Sequence, residues 1–376
     1  MKKLVALTLA VCMMLSFASA CSAAPQAAEP AEPVATVEAQ TANDLQVDTG
    51  ISETAEKAGA NYNFAIVYGG VHPFFDPWRF GAQAAAMDLG IPVPNVTSPQ
   101  NWDQTEQNAI IDGLVAGGVG GIGMFTADAV AGNEKISELV DMGIPVVTMG
   151  GSPATPSKAT FCYATDVGAS VAFATQAIID ELKAQGKTEG KLLHLCSGLA
   201  DTNTQKRQAA IKEVLAKPEN AGFTLEWELA DTDATEPAEK AISSMYASYA
   251  DQVDGIVCTG YVNAQVLAKT MNERGTNDGI VAIGIDDSAD VLAAIANGYM
   301  FGTMTQSSWA MGYVGTYALK LMADGYTYKA DAPFFINSGF FLLKQDGLAT
   351  YQATQEQMAK DFVSTMKDTY FDAPVG

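Results

Sequence analysis

The feature that most constrains this chain is a regular alternation of short apolar runs with longer helix-like segments, sustained from Phe64 to Met322. Apolar runs of this length, each followed by a segment at helical spacing, read as buried parallel strands joined by crossover helices. A first series predicts strands over Phe64 to Tyr68, Gly121 to Phe125, Ile144 to Met149 and Phe161 to Ala164. Among its helices, one starts at Asp103 with Glu106 three residues on, a capping-box pair, and carries an apolar stripe of Ala109, Ile110, Leu114 and Val115. A second series predicts strands over Lys191 to Cys196, Phe223 to Leu229, Gly255 to Thr259, Ile280 to Asp286 and Phe301 to Gln306. The two series echo each other at an offset of about 130 residues, within the size of one domain. The expected fold class is therefore α/β, as two doubly wound parallel-sheet lobes.

The stretch after the first strand carries the chemistry. Gly69-Gly70 leads into His72-Pro73-Phe74-Phe75-Asp76-Pro77-Trp78 and then a helix from Arg79 to Leu89. Asp76 suits an N-cap, Pro77 a first helical position and Gly90 a helix stop. Large rings in a loop at the carboxyl end of a strand are well placed to wall a ligand site in an open α/β sheet.

The amino terminus reads as an export segment. Met1-Lys2-Lys3 precedes an apolar run from Leu4 to Ala20, too short for a retained span. The junction Ala18-Ser19-Ala20-Cys21 resembles a bacterial lipobox, which implies cleavage before Cys21 and lipidation of its sulfur. From Ser22 to about Asn61 the chain is Ala, Pro, Glu, Thr and Gln, a composition that buries too little to order itself and reads as a tether. The formal charge is −22, and about −24 once Lys2 and Lys3 are removed, which argues against nucleic acid as a partner. Of five cysteines, Cys162, Cys196 and Cys258 remain in the body, each in a strand-like run; no C-x-x-C is present, so buried thiols are expected rather than disulfides or zinc.

Catalytic signatures are missing from the sequence. Gly118-Val119-Gly120-Gly121-Ile122-Gly123 fits G-x-G-x-x-G, but it follows a helix and runs into a strand, the reverse of a dinucleotide site. It reads as a helix stop and turn. The two histidines, His72 and His194, lie far apart, and Asp231-Thr232-Asp233 with Glu236 reads as a solvated loop before a helix. No enzyme activity, metal or cofactor is expected.

The order of elements and several motifs resemble the periplasmic sugar-binding proteins of the ribose, galactose and autoinducer-2 type, the solute receptors of ABC importers. The resemblance rests on Pro73-Phe74-Phe75, Thr126-Ala127-Asp128-Ala129-Val130, Gly143-Ile144-Pro145-Val146-Val147 and Arg207 before Ala210-Ile211. It continues in Val281-Ala282-Ile283-Gly284-Ile285-Asp286 and Gly302-Thr303-Met304-Thr305-Gln306. It implies a type I periplasmic-binding-protein fold, with two lobes joined by a three-strand hinge and closing on a sugar. It also implies that the helix from Ser308 to Met322 belongs to the first lobe and a strand from Phe334 to Leu342 to the second. The implied divisions are a signal peptide (1–20), a lipidated Cys21 with an acidic tether (21–61), a first lobe (62–166 with 307–332), a second lobe (167–306 with 333–346) and an extension (347–376).

Residue by residue, the resemblance places Phe74 and Phe75 against the apolar C–H face of a sugar ring. It places Arg207 as a fork across hydroxyls, Asp286 as a charge-assisted acceptor and Gln306 as a hinge-side ligand. His72 stands where ribose-type members have Asn, and Trp78 in the first helical turn is a further candidate. Asp128, and Asn203 four residues before Arg207, join the set. The departures bear on which ligand is bound. Gly150-Gly151 replaces an Asp-Arg pair, Gly260-Tyr261 followed by Asn263 replaces Asn-Asp, and Thr232 replaces an aromatic, leaving Tyr261, Asn263, Thr232 and Phe125 to shape the pocket. The implied partners are a small sugar or polyol, permease subunits and the membrane through the lipid, with the protein a monomer. A sensory or autoinducer-2-like signalling receptor is the alternative, a nucleoside binder a lesser one, and a DNA-binding regulator is disfavoured by the charge and export segment.

Overall fold

The computed structural model describes residues 59–199 and 201–374. The signal segment, Cys21 and all but the last residues of the tether lie outside them. Chain order runs β1 (Phe64–Val67), α1 (Asp76–Leu89), β2 (Asn95–Thr97), α2 (Gln104–Ala116), β3 (Gly121–Met124), α3 (Ala131–Asp141), β4 (Val146–Met149) and β5 (Cys162–Ala164). Next come α4 (Val167–Ala184), β6 (Gly190–Leu195), α5 (Thr202–Leu215), β7 (Phe223–Leu229), α6 (Thr235–Ser248) and β8 (Gly255–Cys258). These are followed by α7 (Tyr261–Arg274), β9 (Val281–Ile285), α8 (Ala289–Ala296), β10 (Gly302–Gln306) and α9 (Ser308–Ala323). The chain closes with β11 (Thr327–Tyr328), β12 (Phe335–Asn337), β13 (Phe340–Leu343), α10 (Tyr351–Tyr370) and β14 (Phe371–Asp372).

The strands form two six-stranded sheets, ordered β12-β5-β4-β3-β1-β2 and β13-β10-β9-β8-β6-β7. Every pairing in the first is parallel, and in the second only β10 with β13 is antiparallel. Central strands are buried on both faces, which is why they read as continuous apolar runs rather than alternating ones. Helices cover both faces of each sheet, as the alternation requires. The α/β fold with two doubly wound sheets is thus as expected.

The chain passes between the sheets at three places: 164–167, 306–308 and 337–340. At the second crossing α9 leaves the second sheet and packs on the first, lying on α1. Their backbones touch. A Cβ on Gly81 would stand 1.9 Å from the Trp309 carbonyl oxygen, and one on Gly312 2.0 Å from that of Trp78.

Three local readings need correction. The strand expected from Phe334 to Leu342, and with it the assignment of 333–346 to the second lobe, divides: β12 pairs with β5 of the first sheet and β13 with β10 of the second. Gly339, at φ 82, turns the chain between them, and Asn337 Oδ1 accepts from the Gly339 and Asp166 amides. Asp76 is not an N-cap, because a 3₁₀ turn over Pro73–Phe75 runs straight into α1 and moves the cap back to His72. The edge strand β2 has no counterpart among the predicted strands; prolines at 92 and 94 and a length of three residues obscure it. Gly90 ends α1 at φ 63, and Gly118 to Gly120 carry the chain from the end of α2 into β3, both as read from the sequence.

Candidate functional site

The loops after the strands of both sheets meet at their carboxyl ends, where an open α/β sheet binds ligands. Between them lies a cavity of about 660 Å³, within the range of small-molecule sites.

One wall comes from the first sheet and is aromatic. Phe75 is buried, stacked on Tyr68 at 4.7 Å between centroids, and meets Phe125 edge-on at 5.4 Å. Trp102 extends the wall at 5.9 Å from Phe75 and remains 49% exposed. Phe74, half-buried, packs on Phe75 at 5.3 Å. Gly150 and Gly151 leave room for these rings: a Cβ at Gly151 would sit 2.9 Å from the Phe125 ring. His72 caps the 3₁₀ turn by accepting from the Phe74 amide at Nδ1 (3.2 Å), so the neutral ring carries its proton on Nε2. That Nε2 is buried without a hydrogen bond among the described residues. Burial favours the neutral ring, against the pull of Asp233 and Asp76.

The other wall comes from the second sheet and is polar. Arg207 projects from α5, 9% exposed, and among the described residues its guanidinium makes no hydrogen bond. Burial disfavours its charge and lowers its pKa, and the carboxylates of Asp201, Asp286 and Asp233 offset only part of that cost. Asp286, at the end of β9, adopts φ 63 and accepts from Gln306 Nε2 at 2.9 Å. Burial, with the Asp287 charge adding to it, raises its pKa from 3.8 to about 7. Asp233 accepts from Ser197 Oγ at 2.9 Å and from the Val262 amide at 3.0 Å. The walls meet at one point, where His72 Nε2 lies 3.9 Å from Asp233 Oδ2 and the His72 ring stands edge-on to Tyr261 at 5.8 Å.

Ten of the sequence-predicted residues line this cavity: His72, Phe74, Phe75, Phe125, Asp128, Asn203, Arg207, Tyr261, Asp286 and Gln306. Asp128 also caps α3, accepting from the Val130 and Ala131 amides at 2.8 Å each. The other three stand behind the wall. Trp78 is fully buried in the core between α1 and the sheet. Asn263 and Thr232 are buried and bond each other at 3.0 Å; Asn263 Oδ1 also accepts from the Gly260 amide, so the pair fixes the loop that presents Tyr261. Sequence reasoning missed Asp233, reading its loop as solvated, and also Trp102, Ser197 and Asp201. Asp233 and Ser197 lie just past the carboxyl ends of β7 and β6, so inspecting the residues beyond each predicted strand finds them.

His194 bonds Glu228 at Nδ1 (3.1 Å) and Thr259 at Nε2 (2.8 Å), and the three body cysteines are free and buried.

Two walls built from the strand ends of two doubly wound sheets, joined by three crossings, define the cleft. The sequence matches the periplasmic binding protein domain over residues 64–327. The chain belongs to that family. A search of curated proteins returned no match. Among solved structures, this periplasmic binding protein is similar to a sugar-binding protein of a sugar ABC transporter from Bacillus halodurans, at 20% identity and TM-score 0.67, covering 77% of this chain and 99% of that one. It is also similar to an ABC transporter solute binding protein from Burkholderia graminis in complex with D-arabinose (22%, TM-score 0.69, 79% and 99%). A third is an arabinose binding protein from Geobacillus stearothermophilus (20%, TM-score 0.65, 77% and 99%). At these identities the likeness is one of fold.

Proposed function

We propose that this protein is the solute-binding receptor of an ABC importer, which captures a small sugar or sugar-like polyol between its lobes and delivers it to a membrane permease. The observation that carries this reading is the pairing of an aromatic wall with a polar one across a single cavity. A sugar has both surfaces: C–H faces that bury against rings, and hydroxyls that donate to carboxylates and accept from a guanidinium. Phe74, Phe75, Phe125 and Trp102 serve the first, and Arg207, Asp233, Asp286 and Gln306 the second. Arg207 and His72 Nε2 are buried donors without hydrogen-bonded partners among the described residues, and a ligand's oxygens would supply them. The arabinose bound by the Burkholderia neighbour is of this chemical class.

Capture proceeds by closure about the three crossings, with 62–166, 307–332 and β12 moving as one lobe and 167–306 with β13 as the other. The protein binds without chemically altering its ligand. It acts as a monomer, exported and held at the membrane through a lipid on Cys21, with the acidic segment to residue 61 as tether. A thermal-shift panel of pentoses, hexoses, polyols, nucleosides and amino acids tests the ligand class. A sugar or polyol at 100 times its dissociation constant adds about 2.7 kcal/mol of stability. A shift with nucleosides or amino acids and none with any carbohydrate would sink the sugar reading.

A further inference from the structure

The segment after β13 packs on both halves of the molecule and changes host within a few residues. Its first part sits on the second sheet's side: Gln345 Nε2 donates to the Ala296 carbonyl at the end of α8 (2.8 Å), and Leu348 packs on that core. From α10 onward its inward face belongs to the first sheet's side. Ala359, Met366 and Phe371 lie in that core, Phe362 meets Tyr163 at 5.2 Å, and β14 pairs with β11. The change of host falls at the first turn of α10, directly behind the polar wall. There the buried Tyr351 donates from its hydroxyl to Asp287 Oδ2 at 3.1 Å. One turn on, Gln355, 9% exposed, donates from Nε2 to the Gln306 carbonyl at 3.4 Å.

One contact ends on the residue next to a cleft carboxylate and the other on the backbone of a cleft residue. Asp287 follows Asp286, and Gln306 carries the amide that holds Asp286 Oδ1 at 2.9 Å. The backbone at this point needs holding. Asp286 is a non-glycine residue at φ 63, a left-handed conformation that Asp tolerates better than most residues but that still costs energy relative to extended backbone. Thr303 Oγ1 donates to the Asp286 carbonyl at 2.7 Å and the Asp286 amide to Met304 at 2.9 Å, which fixes the turn from the strand side. Tyr351 reaches the next residue, Asp287, from α10.

We propose that Tyr351 and Gln355 are positioning residues for the binding cleft, through which the C-terminal helix fixes the Asp286–Asp287 turn and the crossing at Gln306. The proposal rests on the reading that Asp286 and Gln306 meet the ligand. It gives α10, which starts beyond the residues that match the family domain, a part in binding rather than in bulk stability alone. A site whose supporting residues are locked binds better than the same groups held loosely.

Hydrogen–deuterium exchange on the full chain tests it, comparing wild type with Tyr351→Phe and Gln355→Leu, alongside calorimetry with D-arabinose as probe. Each variant should raise exchange about tenfold at 284–288 and 305–308, leave β1 and β3 unchanged, and weaken D-arabinose about fivefold. Unchanged exchange in the two segments, or an equal rise across both sheets, overturns the positioning role. If D-arabinose binds neither wild type nor variants, the sugar reading loses that probe, while the exchange result still decides the role of the helix.

Discussion

The two walls of the cleft are built on opposite principles. The aromatic wall supports itself: Phe75 is held by Tyr68, Phe125, Phe74, Trp78 and Trp102, and it belongs to the core of its half. In the polar wall, Arg207 is buried among three carboxylates without a hydrogen bond among the described residues, and Asp286 is held in a conformation that side chains rarely adopt. The difference teaches where binding and folding separate. Rings that wall the cavity also sit in the core of the fold, whereas the polar residues opposite them carry a desolvation cost.

The largest expected effect falls on the aromatic side. Phe75→Ala should destabilise the protein by about 3–5 kcal/mol in urea denaturation, because it empties a buried ring. Phe74→Ala, at a half-buried position, should cost far less stability while still weakening sugar binding. Equal stability costs for the two would erase the distinction between core ring and wall ring. On the polar side the sign reverses. Arg207→Met should weaken sugar binding about 100-fold, the scale of two charge-assisted hydrogen bonds, yet leave the urea midpoint of the ligand-free protein the same or higher. A clear drop in that midpoint would place Arg207 among the structural residues instead.

The smallest effect is one of pH. Asp286 has a folded pKa of about 7 against an ordinary 3.8, so between these values the folded chain binds a proton that the unfolded chain has lost. Its contribution to ligand-free stability therefore falls as pH rises from about 4 to about 7. An ionised carboxylate accepts from a sugar hydroxyl more strongly than a neutral carboxyl does, so affinity should rise over the same approach to neutrality. Asp286→Asn should flatten both profiles in calorimetry and in melting curves. A wild-type affinity that is level from pH 6 to pH 8 would mean that the carboxylate is not the acceptor, given a pKa of about 7.

The same division governs what the sequence discloses. The sheets are legible because strands buried on both faces must be apolar throughout, so Phe64–Val67 and Val281–Ile285 stand out from their helices. The aromatic loop is legible because His72 to Trp78 concentrates rings just past the end of a strand, although Phe75 and Trp78 both turn into the core. Arg207, Asp286 and Gln306 become legible through resemblance, since a lone Arg on a helix or an Asp after a strand is ordinary. Asp233 is hidden for a physical reason: its loop is rich in acids and looks solvated, and only the folding of β7 beside β6 brings it to Ser197 and opposite His72. The division of 334–342 into two strands is hidden likewise, because the run is apolar on both sides of Gly339 and only pairing partners distinguish the halves. Thr232 shows the limit of position matching: it stands where ribose-type members have an aromatic, yet here it bonds Asn263 behind Tyr261.

That two unlike walls close on one carbohydrate is tested most directly by native mass spectrometry of the protein purified without unfolding. The expected result is a bound species whose added mass, released by denaturation, is that of a sugar or polyol and which is lost in Arg207→Met. A released nucleoside or amino acid, or a sugar retained equally by Arg207→Met, would contradict it.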